Sequence, residues 1–119
     1  MNNFQDKGVN TLWDTLTGAY LDQHYPYEFG TYENAIREFI KFYILEIDEF
    51  IKNTEAMIQN EADLKFFMSN SDFKIHRSEE FKKMNPHYEE YQMKRFLKIF
   101  EDLKSQYQKM KEEGSISKA

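Results

Sequence analysis

Residues 32–59 read YENAIREFIKFYILEIDEFIKNTEAMIQ, and this stretch decides the fold class. Along it, apolar positions recur at alternating steps of four and three, which is the period of one face of an α-helix. The row consists of Ile36, Ile40, Tyr43, Ile47, Phe50, Thr54 and Met57. No glycine or proline interrupts it, so the pattern predicts a single helix, roughly 40 Å long at about 1.5 Å per residue. Its apolar stripe is wider than one short neighbouring helix can cover.

The second half of the chain predicts another long helix. Asn85-Pro86 suits an N-cap followed by the first helical residue, and Gly114 suits a helix end. We therefore expect a helix over about 86–113, with apolar residues again stepping by three and four. The expected set is completed by an N-terminal helix over about 9–23 and short connecting helices over about 61–84. Few glycines, two prolines and a single valine argue against a β-sheet.

These elements predict an all-α protein, an irregular helical bundle in which the two long amphipathic helices pack antiparallel. We expect a single helical domain over residues 1–114 and a disordered polar tail over 115–119. The longest apolar run is four residues, 42–45, whereas a membrane helix needs roughly 18, so we expect no membrane partner. Residues 1–6 lack the basic region and apolar core of a signal peptide, so we expect a cytoplasmic protein.

The residue types exclude several kinds of chemistry. The chain has no cysteine, which excludes disulfides, thiolate metal sites and cysteine nucleophiles. No two of its three histidines are four residues apart, and no serine lies in a Gly-x-Ser-x-Gly turn. The four glycines form no phosphate-binding loop. We therefore expect a non-enzymatic protein with no catalytic residue, no metal and no cofactor.

The formal net charge is −5, and it is unevenly distributed. Residues 1–60 hold 4 basic and 10 acidic side chains, whereas residues 61–119 hold 12 and 11. This imbalance predicts contact between the two halves, within one chain or between two, unless both surfaces are simply solvated. A basic stretch that includes Lys94, Arg95 and Lys98 is interleaved with glutamates, so the charge argues against a nucleic-acid partner. Isoleucine outnumbers valine nine to one and lysine outnumbers arginine 13 to three, which is usage typical of an AT-rich, low-GC bacterium or its phage.

An aromatic segment at 25–32 is the best candidate for contact with a partner or ligand. Rings with polar tips are enriched at binding hot spots because they bury a large area at little entropic cost. The candidate contact residues are Tyr25, Tyr27, Glu28, Phe29 and Tyr32. The alternative is that this segment folds back and caps the end of the bundle.

Three functions are consistent with the sequence. The first is a protein–protein interaction or regulatory module, with a homodimer through the wide apolar stripe as one form of that interaction. The second is a small-ligand-binding bundle with a pocket between helices, walled by Trp13, Tyr20, Phe39 and Tyr43. The third is an acidic inhibitor whose first half imitates nucleic acid.

Overall fold

The computed structural model describes residues 10–24, 27–70 and 79–116, and within these ranges every regular element is a helix. Helix α1 begins with α-helical residues 10–14 and continues as the π-helical segment Thr15–His24. The others are α2 (Tyr32–Phe42), α3 (Ile47–Ile58), α4 (Glu61–Asn70), α5 (Glu79–Met84) and α6 (Tyr88–Glu113). Helix α2 packs against α1 and α6, and α3 packs against α4. The all-α helical bundle is confirmed.

The single helix expected over 32–59 is wrong in one respect, because a turn at 43–46 divides it into α2 and α3. The Glu46 N–H donates to the carbonyl of Tyr43, and the Phe50 N–H then starts α3 on the carbonyl of Glu46. No glycine or proline causes this break. It lets two shorter helices pack separately, so that the inward residues of both are buried: Ala35, Ile36, Phe39, Ile40, Ile47, Phe50, Thr54 and Met57.

With α2 and α3 packed separately, most of the wide apolar stripe is buried within the chain, and a dimer through it stays a prediction. The apolar run at 42–45 lies at the break. Its two central residues, Tyr43 and Ile44, pack against the core, whereas the flanking Phe42 and Leu45 are 72% and 91% exposed.

The ends of the helices largely follow the sequence signals. The Thr31 hydroxyl accepts from the Asn34 N–H at 3.0 Å and caps α2. Gly114 ends α6 with φ +77°, a left-handed conformation that favours glycine. The Asn85-Pro86 signal falls in a turn instead, because Asn85 bonds to the carbonyl of Phe81 and α6 begins at Tyr88.

Two residues of the polar tail expected over 115–119 contact the rest of the chain. The Ser115 N–H donates to the carbonyl of Met110, and Ile116 packs against the core. Residues 117–119 lie outside the described part of the chain, as do residues 71–78 within the stretch expected to hold connecting helices.

The π-helical winding of α1 coincides with two threonines that bond back to the helix. The Thr15 hydroxyl donates to the carbonyl of Thr11, and the Thr17 hydroxyl donates to the carbonyl of Trp13. These are carbonyls that an α-helix would pair with the N–H four residues later, so the hydroxyls compete for them and favour a wider turn. Gly18 follows directly and is itself a poor helix former.

Among the residues that the structure describes, three ion pairs connect the two halves of the chain: Asp22–Arg95, Glu55–Lys104 and Arg37–Glu113. In the first two, the acid comes from the first half and the base from the second. The contact between halves that the charge imbalance predicted therefore forms within one chain.

Candidate ligand-binding groove

Trp13, the predicted centre of a pocket, is a fully buried core residue. Within the described part of the chain, its ring lies against four phenylalanine rings at centroid distances of 4.9 to 6.3 Å: Phe50, Phe67, Phe96 and Phe100. Its Nε1–H donates to the Thr54 hydroxyl at 3.0 Å. A ligand would have to displace one of these rings to reach the indole.

The other three predicted wall residues form a packed row next to this cluster. The Phe39 ring is buried and contacts Tyr20 at 5.5 Å and Tyr43 at 4.9 Å, while both tyrosines are half-buried. Phe50 contacts both Phe39 and Trp13, so it joins the row to the tryptophan. The structure thus brings the four predicted residues into one aromatic core.

The predicted contact segment divides into inward and outward residues. Tyr25 lies outside the described residues. Tyr27 is 90% exposed and Glu28 is also exposed. Phe29 stacks on Tyr20 at 5.3 Å with the rings almost parallel, and the Tyr32 hydroxyl donates to Asp102 Oδ2 at 2.7 Å. Two of the five residues therefore help to cap the bundle, as the alternative interpretation expected.

Tyr32 also lines a groove of about 420 Å³ between α1, the start of α2, and α6, which we call the α6 groove. Leu21 and Ile99 are buried and form its apolar floor. Tyr91 is 62% exposed and lies on its wall. The charged residues of the lining are Asp22, Arg95 and Lys98.

The spacing along α6 places the groove residues on one side of that helix. Tyr91, Arg95 and Lys98 are separated by four and three residues, so they lie above one another on one face. Arg95 Nη2 reaches across to Asp22 Oδ1 of α1 at 3.1 Å. This ion pair fixes the guanidinium and ties α1 to α6.

A second polar cluster fixes Tyr32 in the groove. The Tyr32 hydroxyl and Lys98 Nζ both donate to the same oxygen of Asp102, at 2.7 and 3.0 Å. Burial, followed by the bond to Asp102, raises the pKa of Tyr32 far above its ordinary value of 10. The phenol therefore stays neutral at physiological pH and acts as a hydrogen-bond donor.

A more polar groove of about 320 Å³ continues along α2 and α6 and shares Tyr32 and Lys98 with the first. Within its lining, Gln106 Nε2 donates to Glu33 at 2.6 Å, and Gln106 Oε1 accepts from Arg37 Nε at 2.7 Å. These bonds hold the α2–α6 seam together, so this part of the groove is structural.

Sequence reasoning singled out only Tyr32 among the residues of the α6 groove. Arg95 and Lys98 were noticed as basic residues, and their spacing from Tyr91 on one helical face was the available signal. Leu21 and Asp22 gave no signal, since only folding brings α1 against α6.

Comparison with protein-family models, with curated proteins and with solved structures gave no match. None of the described helices is long and apolar enough to cross a membrane. Among the same residues, no group of three or more potential metal ligands converges.

Proposed function

We propose that this chain acts by binding rather than by catalysis, and that a small amphipathic molecule occupies the α6 groove. The observation that carries the proposal is the groove itself. Its 420 Å³ falls within the roughly 300–1,000 Å³ of ligand sites, and its lining combines two aliphatic side chains and two tyrosine rings with three charged groups. A groove between helices is also the usual position of ligand sites in bundles.

Tyr91 gives the groove a residue that a ligand would cover. Its ring is largely exposed on the wall, above the buried side chains of Leu21 and Ile99. A flat apolar ligand lying there would remove the tyrosine ring from water and stack on it, which contributes about 0.5–1.5 kcal/mol beyond the area buried.

The polar groups of the groove suit binding better than proton transfer. The Tyr32 phenol keeps its proton because its pKa is raised, and both acids that contact the groove cations are engaged in bonds within the chain. A general base would instead need a titrating group near neutral pH.

The proposal is tested with N-phenyl-1-naphthylamine, a neutral dye that fluoresces in apolar sites. We expect saturable binding of one dye per chain, weakened about threefold to tenfold by Tyr91→Ala. Tyr27→Ala is the matched control, because Tyr27 is an even more exposed tyrosine outside the lining. Absence of saturable binding, or equal effects of the two substitutions, would contradict the proposal.

A second candidate function is protein–protein interaction at the turn between α2 and α3. Phe42 and Leu45 project from this turn with most of their apolar surface in water, beside the exposed Glu46 and Glu49. Exposed apolar side chains that lie together are typical of interaction surfaces. Light scattering at two protein concentrations, with Leu45→Gln as the variant, tests whether a second copy binds here. A monomer at both concentrations would exclude self-association.

The acidic-inhibitor hypothesis gains no support from the acidic side chains of the first half, several of which bond within the chain. Asp22, Asp48 and Glu55 of the first half all bond to side chains of α6. Carboxylates engaged in this way are poorly placed to imitate a phosphate backbone, so we do not carry this hypothesis further.

A further inference from the structure

We propose that the ligand of the α6 groove is an anion: a molecule with an aromatic or apolar body and one carboxylate or sulfonate group, held at Arg95 and Lys98. This inference rests on the proposed function, since it specifies the chemistry of the molecule that the groove binds. Its basis is the placement of two cations together in the groove lining and the way the nearby acids are already engaged.

The lining of the groove is richer in cations, relative to acids, than the chain as a whole. Its lining holds two cations, Arg95 and Lys98, against one acid, Asp22, whereas the whole chain carries a net charge of −5. An anion is therefore repelled by much of the surface, whereas on this wall it is favoured by two adjacent cations, each paired with an acid.

The two cations are placed to act together on one ligand group. They are three residues apart on one face of α6, next to the Tyr91 ring. Arg95 is held by Asp22 and is 26% exposed along its side chain, while Lys98 is 73% exposed. A ligand ring lying on Tyr91 would bring an attached anion towards this pair, where charge-assisted hydrogen bonds are stronger than neutral ones.

The acids around the groove do not cancel this preference. Asp22 is engaged by Arg95, and Asp102 accepts from both Tyr32 and Lys98. A cationic ligand would have to compete with these internal donors for the same carboxylates. An anion can instead add to the existing pairs, because the ammonium of Lys98 has three donors and the bond to Asp102 uses one.

The test compares two dyes that differ by a single anionic group. One is N-phenyl-1-naphthylamine, and the other is its sulfonate, 8-anilinonaphthalene-1-sulfonate. Because the sulfonate also increases solubility in water, the informative quantity is the change in each Kd on Lys98→Gln. We expect this substitution to weaken the sulfonate about threefold to fivefold and to leave the neutral dye within about twofold.

Lys94→Gln is the matched control. Lys94 is on the same helix and also pairs with an acid four residues away, Glu90, as Lys98 does with Asp102, but it lies outside the groove lining. We expect it to change neither Kd by more than about twofold. The selective effect of Lys98→Gln should also shrink as salt is raised, since screening weakens an exposed ion pair.

The outcomes separate this inference from the proposed function. If the neutral dye binds and responds to Tyr91→Ala but Lys98→Gln weakens both dyes equally or neither, the anion inference is overturned and the groove remains a binding site. Equal effects of Lys94→Gln and Lys98→Gln on the sulfonate would also overturn it. If the neutral dye does not bind saturably, or responds equally to Tyr91→Ala and Tyr27→Ala, the proposed function itself fails.

Discussion

The buried hydrogen bond between Trp13 and Thr54 offers the sharpest test of how this core is held together. Both side chains are fully buried, and the Trp13 Nε1–H donates to the Thr54 hydroxyl across 41 residues of sequence. Thr54→Val replaces the hydroxyl with a methyl group of similar size. The substitution therefore keeps the packing of α3 and removes the hydroxyl that accepts from the indole N–H.

The expected cost follows from the donor that is left behind. An unpaired buried N–H costs about 1–3 kcal/mol, and the added methyl group offsets at most about 0.8 kcal/mol through burial. We expect a net loss of about 1.5 kcal/mol in the free energy of unfolding. For a domain of this size that lowers Tm by roughly 6 °C.

Thr17→Val is the matched control, because Thr17 is equally buried but its hydroxyl donates to the main-chain carbonyl of Trp13. Removing that donor leaves no buried N–H without an acceptor, so we expect a loss of about 0.5 kcal/mol in the free energy of unfolding. In a Trp13→Phe background, which has no indole N–H, Thr54→Val should cost almost nothing. Urea unfolding followed by circular dichroism measures all the variants. The reasoning is refuted if Thr54→Val costs no more than Thr17→Val, or costs the same in both backgrounds.

Three further predictions concern two ionisable side chains and one backbone position. Arg37 lowers the pKa of Glu113 below its ordinary 4.5. The stability that this pair contributes is therefore present above pH 4.5 and is lost as the pH falls further, so thermal melts of Glu113→Gln should depend less on acid pH than those of the wild type. Burial and a hydrogen bond to Asp48 raise the pKa of Tyr107 above 10. The contribution of the neutral phenol to stability is therefore lost as the pH rises beyond 10, and Tyr107→Phe should reduce this alkaline loss of stability in the same melts. Gly114→Ala should cost about 1 kcal/mol in urea unfolding and Gly114→Asn less, because the left-handed φ is the only obstacle to a side chain there.

Periodicity was sufficient to predict the all-α class, because burial in a helix repeats along the chain itself. The rows of apolar residues that predicted the helices are the rows that the structure buries. The turn at 43–46 was not predictable from local signals, since it contains no glycine or proline. It arises from packing, which overrides local propensity when two short helices bury their apolar faces better than one long helix can.

The candidate groove was largely invisible in the sequence for a related reason. Its two cross-helix contacts join residues far apart in the chain: Tyr32 to Asp102 over 70 positions, and Asp22 to Arg95 over 73. Aromatic composition drew attention to Trp13 and to Tyr32 alike. Only packing distinguishes them, because it encloses the indole among phenylalanine rings and leaves the phenol at the edge of an open groove.

Helix α6 has two faces with different roles. One packs in the core, and the other lines the proposed binding groove. Phe96 and Phe100 are buried against Trp13, whereas Tyr91 and Lys98 are exposed along the groove. Substitutions at exposed positions usually change stability by no more than about 0.5 kcal/mol. Tyr91→Ala and Lys98→Gln can therefore alter binding without unfolding the chain, so a loss of dye binding in these variants, at unchanged Tm, reports on the groove itself.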